Sequence, residues 1–158
     1  MGFGDVTQQE AMQTFHSFMK EMDEQIQHFI DLGASFGYVF NFCMSECRDI
    51  ETFFDEYTQT MRKDEIDSAM SFFSRYIGEM IIHNYGGSWI LYRGAKNDID
   101  NNMPVIMGMM GAEDIPFNPR RTMYMYHIRK QPGMVEQIIT TYTEALTQRV
   151  NLKGEKMK

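Results

Sequence analysis

Glu79 and His83 are the two residues whose types and spacing come nearest to a reactive site. They lie four positions apart, so on a helix the carboxylate and the imidazole project from the same face. In that arrangement the carboxylate can orient the ring, or both side chains can ligate a metal ion. A catalytic zinc or iron site needs a third protein ligand, and no other histidine lies at a spacing that predicts convergence. A small metal-dependent or hydrolytic enzyme that uses this pair is therefore an alternative, and we predict no catalytic residue and no metal site.

A structural role explains the stretch around this pair, YIGEMIIHNYGGSW at 76–89, more completely. Gly78 in a helix interior costs about 1 kcal/mol relative to alanine, which indicates that a bulky ring or another backbone passes close to it. Glu79 is expected to accept a hydrogen bond from the Trp89 indole or from backbone N–H groups of a neighbouring loop. We interpret the stretch as a joint between a helix and a strand, in which the Gly-Gly pair ends the helix.

The polar segment GAKNDIDNN at 94–102 is the second candidate site. It begins like a calcium loop, but methionines stand where such a loop requires glycine and glutamate. Because the segment holds no residue needed for the core, its side chains are expected to be exposed. We predict that Asp98 and Asp100 contact a basic partner protein and that Trp89 or Tyr92, on the adjoining strand, supplies an aromatic anchor. A solvated turn without a partner is the alternative.

Arg120 and Arg121 lie where a helix is predicted to begin, directly after Asn118-Pro119. Positive charge is unfavourable at the N-terminus of a helix, because the peptide dipoles place partial positive charge there. Each arginine is therefore expected to pair with an acidic neighbour or with a ligand. We favour the acidic neighbour.

The charge and the cysteines limit the classes of partner. The 158 residues include 22 acidic and 15 basic side chains, for a formal charge of −7. This surplus repels phosphate backbones and anionic membranes, so neither nucleic acid nor a membrane is a predicted partner, whereas a basic protein is attracted. We see no secretory leader, and no apolar run approaches the roughly 20 residues of a membrane span. Cys43 and Cys47 are predicted to share a helix face without disulfide geometry, which favours reduced thiols and a cytoplasmic location. No cofactor is predicted.

Methionine and phenylalanine are unusually frequent, with 16 and 12 copies. Methionine fills irregular gaps in a core, and it also makes binding surfaces adaptable. The stripes that these residues form are interpreted mainly as core. Their exposure would instead mark a surface for self-association, so a homo-oligomer is possible.

Helical periodicity dominates the chain on both sides of a short central region of strands. Helices are predicted at 8–31, across much of 36–61 with a break near Arg48-Asp49, at 64–85, at 119–130 and at 134–150. The first begins with the capping box Thr7-x-x-Glu10, and Gly33 is predicted to end it in the left-handed conformation. Asp49 is predicted to cap the second segment of the next helix.

The segments SWILYR at 88–93 and MPVIMGMM at 103–110 are predicted to be strands, because their β-branched and aromatic residues alternate outside any helical period. Helices, strands and helices in this order predict an α+β fold. We expect one mostly helical domain over 1–158, with a small antiparallel sheet of two or three strands packed against helices. Residues 1–5 and 152–158 are expected to fray.

The motifs Gly-Glu at 78–79 and Gly-Gly-x-Trp at 86–89, followed by a strand pair and by Asn118-Pro119 at a helix start, resemble a set of small bacterial domains of unknown function. The resemblance covers about residues 63–131. Some of these domains look like immunity proteins, which are encoded beside toxins delivered between competing bacteria. The resemblance implies the order of the elements and carries no catalytic residues.

Together these observations predict a non-enzymatic cytoplasmic domain that binds another protein. Its most specific form is a stoichiometric inhibitor, or immunity protein, that neutralises a basic toxin, because complementary charge speeds such an association. The alternatives are the metal-dependent or hydrolytic enzyme described above and an oligomer-forming accessory protein.

Overall fold

The computed structural model describes the backbone of residues 7–156 and the side chains of residues 7–152. In chain order, the elements are α1 (Gln8–Lys20), α2 (Met22–Ser35), α3 (Cys47–Thr58), α4 (Lys63–Tyr85), β1 (Ser88–Leu91), β2 (Pro104–Met107), α5 (Pro119–Arg129) and α6 (Met134–Lys156). The two strands are antiparallel and pack against helices, which confirms the predicted α+β class. Helix α6 continues beyond its predicted end at 150. The predicted fraying of residues 1–5 lies outside the described residues.

The predicted helix over 8–31 is two helices, because the chain turns at Glu21 between α1 and α2. The capping box that begins α1 is confirmed: the Glu10 backbone N–H donates to Thr7 Oγ1 over 3.1 Å, and the Thr7 N–H donates to the Glu10 carboxylate over 3.3 Å. In this region the periodicity correctly predicts helical residues but does not reveal the turn between them.

Gly33 was predicted to end the helix in the left-handed conformation, and this prediction is wrong. Gly33 lies inside α2, where a Cβ atom would stand 2.6 Å from the Phe40 ring, so glycine is needed for close packing. The left-handed residue is Gly37, with φ of 91°. The N–H groups of Gly37 and Tyr38 donate to the carbonyls of Ala34 and Gly33, which is the hydrogen-bond pattern of a Schellman motif.

The predicted helix across 36–61 is wrong for its first part. The chain from Tyr38 to Cys43 is not helical, and α3 begins at Cys47 after a 3₁₀ turn at Met44–Glu46. Two side chains satisfy the backbone of this segment: Phe42 N–H donates to Tyr76 Oη over 2.8 Å, and Asn41 N–H donates to the Glu46 carboxylate over 2.6 Å. These side-chain acceptors replace the hydrogen bonds that a helix would have supplied.

Two smaller predictions for the same region are also wrong. Asp49 lies in the first turn of α3 and is not its cap, which is Glu46. Cys43 lies outside α3 and is exposed, whereas Cys47 is buried, so the two do not share a helix face. Both thiols are free in the described structure. Burial, with the nearby carboxylates adding to it, raises the pKa of the Cys47 thiol to about 12.

Helix α4 is the centre of the fold and packs against α2, α3, α5 and β2. Its Phe73 and Tyr76 meet Phe29 of α2, at ring-centroid distances of 4.9 and 4.2 Å, and Phe53 of α3 joins the same aromatic cluster. The prediction of this helix is confirmed to within one residue. Its burial on several sides explains why so many aromatic residues occur in one short chain.

The two strands pair with Trp89 opposite Ile106. Ile106 also exchanges two backbone hydrogen bonds with Phe117, which brings the chain to the start of α5. As predicted, Asn118 caps α5: its Oδ1 accepts from Arg121 N–H over 3.1 Å, and Pro119 occupies the first turn. Strand β2 ends before its predicted limit of 110, because Gly108 adopts the left-handed conformation.

The N-terminus of α6 is held by Glu51, which is fully buried in α3. Its carboxylate accepts from the backbone N–H groups of Gly133 and Val135, each over 2.9 Å, and from Arg48 Nη1 over 2.6 Å. A charged acceptor strengthens these bonds and suits the positive end of the helix dipole. In the part of the chain described, no helix combines the length and the apolarity needed to cross a membrane.

Candidate binding cleft

Gly78, Glu79 and Trp89 form the joint between helix and strand that the sequence analysis predicted. A Cβ atom on Gly78 would overlap the six-membered ring of Trp89, so glycine allows the indole to lie directly on α4. The Trp89 Nε1–H donates to the Glu79 carboxylate over 3.1 Å. The glycine and the glutamate thus place the aromatic side chain from both sides, which confirms this interpretation.

The structure does not bring Glu79 and His83 together as a reactive pair. His83 is exposed, and its Nδ1 lies 2.9 Å from the backbone carbonyl of Glu79, while the Glu79 carboxylate is engaged by Trp89. The imidazole also stacks on Phe42, with ring centroids 4.4 Å apart. Among the residues that the structure describes, no group of three or more His, Cys, Asp or Glu side chains is arranged to hold a metal ion.

The predicted exposure of the segment at 94–102 is wrong for Asp100, which is 9% exposed. Its carboxylate accepts from Asn118 Nδ2 over 2.9 Å and from Arg121 Nη1 over 3.3 Å. Asp98 is half-buried and accepts from Tyr92 Oη over 3.1 Å. Asp100 therefore holds the start of α5, and Asp98 holds the turn through Tyr92. Binding of a partner by these residues stays a prediction.

A cleft of about 420 Å³ lies between α1, α4, the two-stranded sheet and α5. The apolar part of its lining comes from Phe18 of α1, Trp89 of β1, Pro104 of β2 and Met103, which directly precedes β2. The Phe18 ring meets the Trp89 indole edge to face, at a centroid distance of 4.9 Å. The joint at Gly78 therefore sets the position of one wall of this cleft.

Arg75, on α4, lines the cleft and is 3% exposed. Its guanidinium donates to Ser71 Oγ over 2.5 Å and to the Phe18 carbonyl over 3.2 Å, and it lies 4.1 Å from the centre of the Phe18 ring. Glu21 forms an ion pair with it at 3.6 Å, although the Glu21 side chain is largely exposed. The Nε atom of Arg75 is buried without a hydrogen-bond partner among the described residues.

Arg120, at the start of α5, lines the same cleft and is half-buried. It forms no hydrogen bond and no ion pair within the described part of the chain, in contrast to Arg121, which pairs with Asp100. Burial lowers the pKa of Arg120, and the charge of Asp67 acts in the opposite direction. The sequence-based expectation of an acidic neighbour is thus confirmed for Arg121, while Arg120 has no such hydrogen-bonded partner.

Burial also lowers the pKa of Arg75; Glu21 opposes this effect, and the positive charge of Arg120 adds to it. Two partly desolvated guanidinium groups of like charge therefore share one cleft. Guanidinium presents planar N–H donors that match a carboxylate or a phosphate. The arrangement can bind a ligand that combines an anionic group with an apolar body.

Sequence reasoning named Arg120 and Trp89 but missed Arg75 and Phe18 as site residues. Arg75 is the only cationic side chain between Lys63 and His83, in a stretch that is otherwise rich in apolar residues. A lone cation in a helix predicted to be central to the core is a signal that could have identified it. Phe18 gave no such signal, because it belongs to the regular apolar stripe of its helix. Comparisons of the chain with protein-family models, with curated proteins and with solved structures found no match.

Proposed function

We propose that this protein is a non-enzymatic binding domain that takes a side chain of another protein into the cleft. The observation that carries the proposal is the combination of residue types in one cleft: Trp89, Phe18 and Met103 beside Arg75 and Arg120. Aromatic residues, methionine and arginine are the types enriched in the cores of protein interfaces. Tryptophan and arginine are also the commonest residues at positions that dominate binding energy.

The rim of the cleft supports the same proposal. Gln13, Thr14 and Ser17 line its edge from α1, and all three are exposed. An apolar centre bounded by exposed polar side chains is the usual organisation of a site for a protein partner. The volume is also sufficient for one large side chain and part of its neighbour.

The more specific form of the proposal is a stoichiometric inhibitor of the immunity type. Its support is the resemblance at 78–79 and 86–89 and the charge of −7, which favours approach by a partner that is basic overall. The cleft adds a requirement for one acidic or apolar side chain on that partner. The free thiols of Cys43 and Cys47 support a cytoplasmic location as part of the same proposal.

The test is the affinity for the product of the neighbouring gene, measured by isothermal titration calorimetry with purified proteins. We expect a complex with one-to-one stoichiometry. Gln13→Trp, which fills the cleft from its exposed rim, should lower the affinity at least tenfold. Gln9→Trp places the same substitution on the same helix outside the cleft lining, so it should leave the affinity unchanged.

Two results would count against the proposal. A complex with equal affinity for Gln13→Trp and the natural chain would show that the partner binds elsewhere. No complex, together with no protection of cells from the neighbouring product, would reject the inhibitor. The two alternatives from the sequence, an enzyme using Glu79 and His83 and an oligomer-forming protein, stay predictions without a geometric observation in their favour.

A further inference from the structure

We propose that Arg75 and Arg120 form an anion subsite within the cleft, which binds a side-chain carboxylate of the partner. The source of the carboxylate rests on the proposed function, whereas the subsite itself rests only on the residues of this chain. It deepens the proposal by stating which chemical group the cleft selects. Arg120 supplies the direct contact, and Arg75 supplies fixed positive charge behind it.

Arg120 has no hydrogen-bond or ion-pair partner among the described residues, although it is the more buried of two consecutive arginines. Arg121 is exposed and still has the Asp100 carboxylate. A charged group withdrawn from water without a hydrogen bond is unfavourable, and the positive end of the α5 dipole adds to the cost at Arg120. An incoming carboxylate would remove both penalties. Charged groups withdrawn from water in folded proteins normally have hydrogen-bond acceptors, so the gap at Arg120 calls for an explanation.

The guanidinium of Arg75 is held in place by Ser71 and by the Phe18 carbonyl. A cation that is already oriented loses little entropy when an anion arrives. Its buried Nε has no hydrogen-bond partner among the described residues, and its ion pair at 3.6 Å is with the exposed Glu21. Because Arg75 and Arg120 carry like charge and line the same cleft, an anion that sits near both relieves their repulsion.

The charges around the cleft favour a carboxylate over a phosphate. Glu21 and Asp67 each interact electrostatically with one of the two arginines, so the positive charge of the cleft is partly compensated. One added negative charge can be accommodated, whereas a dianion would also be repelled by both carboxylates and by the net charge of −7. The ring of Phe18 and the Trp89 indole favour a carboxylate that is attached to an apolar stem.

The test uses small probes and the full chain. N-acetylglutamate amide carries one carboxylate between two blocked ends, and N-acetylglutamine amide has the same shape without the charge. Trp89 is the only tryptophan in the sequence and lines the cleft, so its fluorescence reports binding there. At the efficiency usual for small ligands, we expect the glutamate probe to bind with a dissociation constant of roughly 1 mM. The glutamine probe should bind at least tenfold more weakly at matched ionic strength.

Inorganic phosphate is the third probe. Binding weaker than that of the glutamate probe supports a carboxylate subsite, and tighter binding overturns the assignment to a carboxylate. Equal affinity for the glutamate and glutamine probes would show that the cleft does not recognise charge, which overturns the anion subsite. The absence of saturable binding by all three probes would overturn it as well.

Substitutions locate the subsite. Arg120→Gln should weaken binding of the glutamate probe at least tenfold. The affinity of Arg120→Lys should lie between those of the natural chain and Arg120→Gln, because lysine keeps the charge but not the planar donors. Arg121→Gln is the matched control, since Arg121 is the next residue and does not line the cleft, and it should leave binding unchanged. Glu21→Gln removes a competing carboxylate and should tighten binding about two- to threefold. Weaker binding in Glu21→Gln, or equal losses in Arg120→Gln and Arg121→Gln, would contradict the assignment.

These measurements separate the subsite from the proposed function. If the glutamate probe binds and depends on Arg120, but the neighbouring gene product does not bind, the subsite stands and the partner is wrong. If that product binds, and its binding is weakened by Gln13→Trp but not by Arg120→Gln, the cleft stands as the binding site and the anion subsite is wrong.

Discussion

Helices α1 and α4 both line the cleft, but they are held in the fold very differently. Eleven of the 23 residues of α4 are buried in the described structure, whereas Ala11 is the only buried residue within the 13 described residues of α1. Besides Ala11, helix α1 is attached through Phe18, which packs between Arg75 and Trp89 and whose carbonyl accepts from Arg75. One side of the cleft therefore belongs to the core, and the other rests on it.

This difference bears on how the cleft can work. Elements with few buried apolar contacts open at a lower free energy than the core does. We therefore expect the amide hydrogens of α1 to exchange with solvent faster than those of α4 at 69–81. A partner can then adjust the α1 side while the α4 side stays fixed. Hydrogen exchange followed by mass spectrometry compares the two helices directly, and equal protection would contradict the comparison.

The largest expected effect comes from Glu51→Gln, on the core side. The amide keeps one acceptor oxygen but turns N–H donors toward a site where Gly133 and Val135 also donate, and it removes the charge that Arg48 contacts. We expect the free energy of unfolding to fall by about 3 kcal/mol in a urea titration. Glu144→Gln, on the exposed face of α6, is the control and should change it by less than about 0.5 kcal/mol. Similar values for both variants would mean that Glu51 does not anchor α6.

Gly78→Ala should lower the free energy of unfolding by about 2 kcal/mol. The new methyl group overlaps the Trp89 ring, and moving the indole also weakens its bond to Glu79. In the background of Trp89→Leu, the same substitution should be neutral or stabilise by up to about 1 kcal/mol, because alanine is the better helix former. This double-mutant cycle isolates the contact between the two residues. An equal cost in both backgrounds would place the strain elsewhere.

Asp100→Asn should destabilise the protein by about 1–2 kcal/mol, since the buried carboxylate accepts from Asn118 and pairs with Arg121. Asp98→Asn should cost about 0.5 kcal/mol, because Asp98 is only half-buried. The amide oxygen of the new asparagine can still accept from Tyr92. Thermal unfolding of the two variants side by side measures the difference. Equal small effects would instead support the exposure that the sequence predicts for this segment.

The smallest expected effect on global stability comes from Thr7→Ala, on the peripheral side. It removes the side-chain half of the capping box of α1, which contributes about 1 kcal/mol to a helix. Because α1 adds little to the core, the loss should appear as faster hydrogen exchange in Gln8–Lys20, with little change in the midpoint of global unfolding. Thr14→Ala keeps the cap and serves as the control. A fall in the midpoint as large as that of Gly78→Ala would show that α1 is part of the core after all.

The features that sequence reasoning predicted correctly are those whose partners lie close along the chain. The Thr7-Glu10 box, the Asn118 cap and the Gly-Gly end of α4 each need contacts within about three residues. The joint of Gly78 and Glu79 with Trp89 spans only ten residues, and an unexplained glycine inside a helical period pointed to it. This reasoning therefore placed the Trp89 ring on α4 correctly, and binding of a partner by Trp89 stays a prediction.

Tertiary structure alone decided the features whose partners are far apart in the chain. Glu51 holds the start of α6 from 82 and 84 residues away, and Arg75 donates to a carbonyl 57 residues before it. Asp100 was predicted to be exposed because its donors, Asn118 and Arg121, lie 18 and 21 residues away in the chain. The presence of Arg75 and Arg120 in one cleft has the same origin. Local patterns encode hydrogen bonds and steric limits over a few residues, whereas charges, buried acceptors and clefts depend on which distant elements the folded chain brings into contact.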